Sequence, residues 1–256
     1  METKRPMWPD LKKKKEEEGS SRTKCRQAVL LTTGSFNPIT RAHVEILEIA
    51  KRSLEKDFGY VVTNGFISPT HDDYVKDKCI RKKCKFVSSK KRAHMCDLAL
   101  KNNEWIRTSY WECTCFFQSY YNDKKNTNIH TGTRKRFYDY TGVIRALRKH
   151  LDSIGMNDVA VLYVCGSDHA RFCSGGFGAK GKGLVVVPRE GKPEHKTSDE
   201  HMVYGVSSSY VKEMKTTDIS STLVRKVLKM KPVPMDKLNE LLDKNVSQYI
   251  IDNKLY

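Results

Sequence analysis

The stretch Ala28-Val29-Leu30-Leu31-Thr32-Thr33-Gly34-Ser35-Phe36-Asn37-Pro38-Ile39-Thr40-Arg41-Ala42-His43 decides the architecture. Its first six residues form a short apolar run of the kind a buried parallel strand shows. Gly34 to Pro38 is turn chemistry. From Arg41 the period turns helical: Val44, Leu47, Ala50 and Leu54 fall at three- and four-residue steps and make one apolar stripe. Gly59 stops this helix, and Tyr60-Val61-Val62-Thr63, continued by Phe66-Ile67, starts a second strand. Strand, loop, helix and strand make a βαβ unit with a right-handed crossover.

Further along, residues 71–90 read as a polar, basic loop and Lys91 to Leu100 as a helix. Trp105 to Phe117 reads as a strand, 118–133 as an insertion, and Arg134 to Ile154 as a helix with Val143, Leu147 and Leu151 on one face. Val159 to Cys165 is a strong strand, Ser174 to Gly183 a glycine-dense loop, and Leu184 to Val187 another strand. Met202 to Val206 reads as one more strand. Ile219-Ser220-Ser221-Thr222 opens a capped helix running to Leu228, and helices near 235–243 and 246–252 follow. No internal repeat is visible. The alternation predicts an α/β fold: a single doubly wound, Rossmann-like, mostly parallel sheet with helices on both faces. The domain spans 26–256, preceded by a charged, flexible extension over 1–25 and interrupted by basic or polar insertions near 76–92 and 118–133.

The 256 residues suffice for a sizeable core. Hydrophobic residues make up 38% and mean hydropathy is −0.61, with no run of membrane-spanning length and no signal-peptide stretch, so the expected location is intracellular, in nucleus or cytoplasm. Of the eight cysteines none form a CxxC pair, and free thiols are the default. The net charge of +17 attracts polyanions, either nucleic acid or a phosphate-rich small substrate. The stretch 76–92 holds nine basic residues against Asp77 alone, with Phe86 its one aromatic and so no interleaved stacking surface, and its plain reading is a solvated face. The Lys12–Lys15 run also fits a nuclear targeting signal.

Two helix starts carry chemistry. Gly34–His43 stands where a strand ends and a helix begins, the ligand-binding position of open α/β sheets. Thr40 and His43, three apart, both face one ligand, and an imidazole donor there holds a phosphate oxygen as charge shifts. Read alone, the segment is equally a tight turn with a packing histidine. Ile219–Arg225 is a second capped start, in which Arg225 adds a forked cation suited to polyphosphate; alone it also reads as a plain cap with a surface arginine. Two anion-holding helix starts together describe a clamp for a triphosphate.

At these residues the sequence resembles a known superfamily. Gly34–His43 resembles the GxFxPxTxxH signature, and Ile219–Arg225 the ISSTxxR signature, of nucleotidyltransferases. Gly65-Phe66-Ile67-Ser68-Pro69, Trp105 with Trp111-Glu112, Cys165-Gly166-Ser167-Asp168 and Pro188-Arg189-Glu190-Gly191 look like segments of the eukaryotic-type nicotinamide mononucleotide adenylyltransferases. The similarity runs from about residue 28 to 256 with gaps near 76–92 and 118–133. It implies an enzyme joining ATP to nicotinamide mononucleotide, and to nicotinate mononucleotide as well, giving NAD and pyrophosphate with magnesium carried on the ATP phosphates and no protein metal ligands. The resemblance implies His43 and Arg225 as catalytic residues. It implies Gly34, Ser35, Phe36, Thr40, His43, Gly166, Asp168, Ser221, Thr222, Leu223, Val224 and Arg225 at ATP. It implies Ser35, Asn64, Trp105, Thr108, Phe177 and Arg189 at the mononucleotide, Trp105 stacking on the nicotinamide.

The chain departs from this pattern at Asn64, where the family carries a lysine facing substrate phosphate; a basic residue from 76–92 is the expected replacement. Gly176-Phe177-Gly178-Ala179-Lys180-Gly181 matches GxGxxG, but it precedes a strand, and Gly183 stands where a P-loop needs a hydroxyl, so it reads as a loop or lid. Other readings are another member of the same superfamily and a basic RNA-binding module without turnover, which salt-sensitive RNA binding would mark. Oligomeric state is open, a homo-oligomer included.

Overall fold

The computed structural model describes residues 26–114, 138–173, 177–214, 216 and 218–256, together with Trp8, Pro9 and Leu11. Six strands form one sheet: β1 (Arg26–Gly34), β2 (Tyr60–Pro69), β3 (Ile106–Thr108), β4 (Ala160–Gly166), β5 (Lys182–Val187) and β6 (Val203–Gly205). Their order is β3-β2-β1-β4-β5-β6, and every pairing is parallel. The strand order reverses between β1 and β4, the switch point where ligands bind beyond the carboxyl ends of the strands.

Side-chain alternation sorts the strands onto two layers. Ala28, Leu30, Leu162, Val164, Val185 and Val187 face a core built with helix α1 (Arg41–Asp57), while Val29, Leu31, Val161, Tyr163, Leu184 and Val186 face the opposite layer. The first layer also takes α3 (Ser89–Ala99), α8 (Ser221–Val227), α9 (Met235–Leu241) and α10 (Lys244–Asp252). The second takes α5 (Tyr140–Ser153) with the short α4 (Trp111–Thr114) and α6 (Ser167–Ala170). Helices on both faces of a doubly wound parallel sheet are what the alternation predicts. Among the described residues no helix is long and apolar enough to cross a membrane.

Several local expectations are corrected. The segment 71–90 is not a loop: α2 (Asp72–Arg81) occupies its first half, with His71 accepting from the Asp73 amide and acidic residues in the first turn. Its buried positions, Val75 and Cys79, are four apart, a single narrow stripe that the surrounding lysines obscure. The strand expected from Trp105 to Phe117 is three residues long. The chain then turns into α4, which puts Cys113 on a helix; Cys115–Phe117 fall outside the described residues. The insertion over 118–133 and the start of the helix expected from Arg134 also fall there; α5 begins where Asp139 accepts from the Gly142 amide. Within the expected N-terminal extension, Trp8 is buried, edge-on to Phe66 at 5.6 Å and stacked on Trp111 at 6.3 Å.

Candidate active site

A cleft of about 1170 Å³ opens at the switch point. The ends of β1, β2, β4 and β5 supply Thr32–Phe36, Thr70, Cys165–Gly166 and Val187–Arg189. His43 from α1, Tyr74 and Lys78 from α2, Glu112, Tyr138 to Tyr140, His169, and Ser220–Ser221 complete the wall.

The β1–α1 loop is its floor. Phe36 takes a left-handed φ of 41°, and its ring covers Gly34 so closely that a Cβ there would lie 2.9 Å from it. Gly34 is therefore required by the packing of Phe36 on the loop itself. His43 stands edge-on to that ring at 5.1 Å. The Thr40 amide donates to His43 Nδ1 at 3.0 Å, and the Thr40 hydroxyl lies 2.8 Å from the same nitrogen. Nδ1 is thus an acceptor, which leaves the proton of a neutral imidazole on Nε2. Burial, with Lys78 nearby, pushes the His43 pKa down to about 4, so the ring is neutral near pH 7 and presents an N–H donor. Thr40, expected to face ligand beside His43, is buried against the imidazole and fixes its tautomer.

Two basic residues from the supposedly solvated run hold this loop from above. Arg92 is fully buried and donates to the carbonyls of Val87, Ser35 and Thr70 and to the Asp72 carboxylate, at 2.9, 2.7, 2.5 and 3.0 Å. Lys78 donates to Ser35 Oγ at 2.9 Å and lines the cleft. Burial foremost, with Lys82, Arg225 and Arg81 nearby, pulls its pKa below the usual lysine value. Lys78 thus places a cation at the cleft, as the departure at Asn64 leads one to expect.

Helix α8 docks on the same loop: Ser221 Oγ donates to the Pro38 carbonyl at 2.7 Å and Arg225 Nη1 to the Asn37 carbonyl at 2.7 Å. Arg225 Nη2 also reaches Thr222 Oγ1 at 3.1 Å. Val224 points into the core, and Leu223, partly buried, packs against it. Across the cleft Arg189 pairs with Asp168 at 2.8 Å on a well-exposed rim, beyond Gly166.

Four expected mononucleotide residues lie elsewhere. Trp105 precedes β3 at the level of Gly65, whose amide bonds its carbonyl; its ring covers Gly65, and its indole N–H donates to both Glu48 oxygens at 3.1 Å. It belongs to the core layer of α1, several residues below the carboxyl edge of the sheet. Asn64 is buried opposite Val29, in the body of the sheet, and Thr108 is buried in β3. Phe177 packs on the α5-side core. The aromatic side chains that do wall the cleft include Tyr74, Tyr138, Tyr140 and Tyr163, with Tyr140 stacked on Tyr163 at 5.0 Å.

Tyr138 and Lys78 escape sequence reading because their flanks look like insertions. Glu112 is part of a quoted motif, but nothing in the motif reveals its state. It is buried, accepts from Ser68 Oγ at 3.0 Å, and burial pushes its carboxyl up to about pKa 8. It is therefore protonated at neutral pH. A raised folded pKa contributes stability that is fully present below about pH 4.5 and is lost as pH rises through about 8. Wild type should thus lose urea resistance between those limits relative to Glu112→Gln, which mimics the neutral acid; parallel profiles would show that Glu112 is ionised throughout.

A nucleotide-sized cleft at the switch point, with an imidazole donor and cations on the β1 loop, defines the chain as a nucleotide-handling α/β protein. A family model described as cytidylyltransferase-like matches residues 31–227, well over half of the sequence, and the chain belongs to that family. Among curated relatives, the nicotinamide/nicotinic acid mononucleotide adenylyltransferase of Oryza sativa subsp. japonica is 28% identical over 244 residues, covering 90% of this chain and 86% of that protein. Nicotinamide/nicotinic acid mononucleotide adenylyltransferase 1 of Bos taurus is 27% identical, covering 90% and 89%. Nicotinamide/nicotinic acid mononucleotide adenylyltransferase 2 of Xenopus tropicalis is 45% identical over 85 residues, 33% of this chain; the match spans a quarter of that relative's length. The solved Plasmodium falciparum nicotinic acid mononucleotide adenylyltransferase complexed with NaAD shares the fold, with a TM-score of 0.51 at 16% identity, covering 90% of this chain and 97% of that one.

Proposed function

We propose that this chain transfers the adenylyl group of ATP to the 5′-phosphate of nicotinamide mononucleotide, and of nicotinate mononucleotide as well, releasing pyrophosphate and forming the dinucleotide. The observation that carries the reading is the neutral His43 imidazole, its Nε2–H available at a cleft edge where Lys78 and Arg225 add positive charge. The relatives that align over most of their length bear names of this activity.

In the reaction a phosphate oxygen of the mononucleotide attacks the α-phosphorus, the bond to the β-phosphate oxygen breaks, and pyrophosphate leaves. No protein nucleophile is needed. The protein positions the two phosphates and stabilises charge that shifts onto the leaving group. His43 donates a hydrogen bond and gives up no proton. Lys78 and Arg225 offer fixed cations to the triphosphate. Among the described residues no group of three or more His, Cys, Asp or Glu could hold a metal, and the cations here repel one. A magnesium ion would therefore be held by the ATP phosphates and not by these residues, and would supply charge neutralisation at the leaving group.

Tyr138 takes the role expected of Trp105, a ring beside the pyridine. Trp105→Phe should leave the KM for the mononucleotide unchanged, whereas Tyr138→Ala should raise it roughly tenfold, the loss of one aromatic contact. The opposite ranking in steady-state kinetics would return the platform to Trp105. The reading as a whole is tested by incubating the protein and ATP with each mononucleotide in turn and assaying pyrophosphate and dinucleotide together. Formation of both products supports it. A folded protein that binds ATP and makes neither has no pyridine site.

A further inference from the structure

Trp8 is the one aromatic residue in the sequence that precedes β1, and it is 8% exposed. Its ring meets three others. It stands edge-on to Phe66 of β2 at 5.6 Å, and it is stacked on Trp111 of α4 and on His150 of α5, each at 6.3 Å. Trp8 is therefore a wedge between the sheet, α4 and α5, in the layer that faces away from α1. Leu11 packs on the same layer.

The contacts continue to the cleft. Trp111, itself buried, lies tilted against the Tyr138 ring at 5.1 Å. Tyr138 also lies so close to Gly142, in the first turn of α5, that a Cβ there would stand 2.9 Å from the tyrosine ring. The Tyr138 ring is thus seated on Trp111 and α5, and it lines the cleft together with Glu112, the neighbour of Trp111 in α4. A helix of four residues such as α4 has no stability of its own, so its place is set by what packs on it. Trp8 is one of those residues, and it comes from a part of the chain more than a hundred positions away.

We propose that Trp8 is a positioning residue for the mononucleotide: acting through Trp111, it holds the Tyr138 ring where the pyridine of the substrate meets it. The inference rests on the assignment of Tyr138 as the ring beside the pyridine. Trp8 touches no reacting atom. It orders the wall before substrate arrives, so that less side-chain freedom is lost on binding. Aromatic pairs contribute beyond the area they bury through the relative geometry of their rings, which an aliphatic side chain of similar bulk does not reproduce. The imidazole and cations assigned to the triphosphate stand on other elements, His43 on α1, Lys78 on α2 and Arg225 on α8, so the effect falls on one substrate.

The test is a double-mutant cycle in the full chain, read by steady-state kinetics with each substrate varied in turn. Trp8→Ala is expected to raise the KM for nicotinamide mononucleotide roughly three- to tenfold, with kcat and the KM for ATP within about twofold of wild type. Trp8→Phe keeps a flat ring in the stack and is expected to bring the mononucleotide KM back to within about twofold of wild type. In a Tyr138→Ala background, Trp8→Ala is expected to add less than about twofold, because the ring it positions is gone. If Trp8→Ala does not fold, Trp8→Leu takes its place throughout the cycle, with the same expectations. The proposal is overturned by a mononucleotide KM that stays unchanged in Trp8→Ala while Tyr138→Ala raises it. It is equally overturned by an equal rise in the KM for ATP, which marks general damage, or by a full further rise in the Tyr138→Ala background, which marks a route other than Tyr138. Wild type without turnover, or Tyr138→Ala with an unchanged mononucleotide KM, removes the assignment of Tyr138 itself and the proposal with it.

Discussion

His43→Ala is expected to lower kcat by roughly 10²–10³ while leaving the KM for ATP within a few-fold of wild type, the effect of deleting one donor aimed at developing charge. The structure supplies three reasons. Nδ1 is occupied by the Thr40 amide, so the ring has one free nitrogen, and it carries a proton. The ring is clamped edge-on to Phe36, so this donor is placed before substrate arrives. Burial and Lys78 hold the pKa near 4, so the donor is neutral throughout the physiological range. A second expectation follows for the same variant's parent. The wild-type kcat profile should show no inflection near pH 6.5, because the group that would cause it titrates far lower. The sign of the stability effect is also set: since the folded pKa is depressed, the unfolded chain binds the extra proton first, and stability falls as pH drops from about 6.5 towards 4. A variant with unchanged kcat, or a wild-type profile that breaks near pH 6.5, would remove His43 from the chemistry.

Arg92→Leu is expected to destabilise the fold by about 3–5 kcal/mol in urea unfolding, the cost of leaving a buried network without its charged partner. The guanidinium satisfies three carbonyls and the Asp72 carboxylate, and Asp72 in turn accepts from the Ser89 amide at 2.6 Å. Removing it strands the Ser35 carbonyl on the β1–α1 loop and the Thr70 carbonyl at the end of β2 together. Activity should fall with stability, because the loop that carries His43 is the one Arg92 ties down. Arg81→Leu is the matched control: it removes an exposed arginine of the same basic run, bonded to the Asp77 carbonyl at 3.4 Å, and should change stability by no more than about 0.5 kcal/mol. Equal effects of the two substitutions would mean that the whole run is a solvated surface.

The contrast between Arg92 and Arg81 shows where the sequence is legible and where it stops being so. The βαβ unit at 28–67 can be read because both of its periods are clean and each apolar residue has one destination. The same holds for β4, β5 and α8. The basic run resists because charge marks residues as solvated, whereas Arg92 and Lys78 are held inside by carbonyls and a hydroxyl far away in sequence. Of the expected site residues, the structure brings together Gly34, Ser35, Phe36, His43, Gly166, Ser221 and Arg189 at the cleft, with Arg225 docked on the loop below. All but Arg225 stand at strand ends or helix starts, the positions topology makes functional. Trp105 and Asn64 stand away from the cleft because a motif gives residue order but not height on the sheet, whereas Thr108 ends β3 level with Ile67 and is buried there. The pairing of Gly65 with Ile106 fixes that height, and it sets Trp105 and Asn64 below the rim.

The most direct measurement is the fate of label from ATP carrying a marked α-phosphorus, incubated with the protein, magnesium and nicotinamide mononucleotide. The account predicts that the label appears in NAD in equal amount to the unlabelled pyrophosphate released, and that His43→Ala slows this transfer without diverting it. Label that stays in ATP, or that emerges as AMP by hydrolysis, with the protein folded and ATP bound, would contradict it.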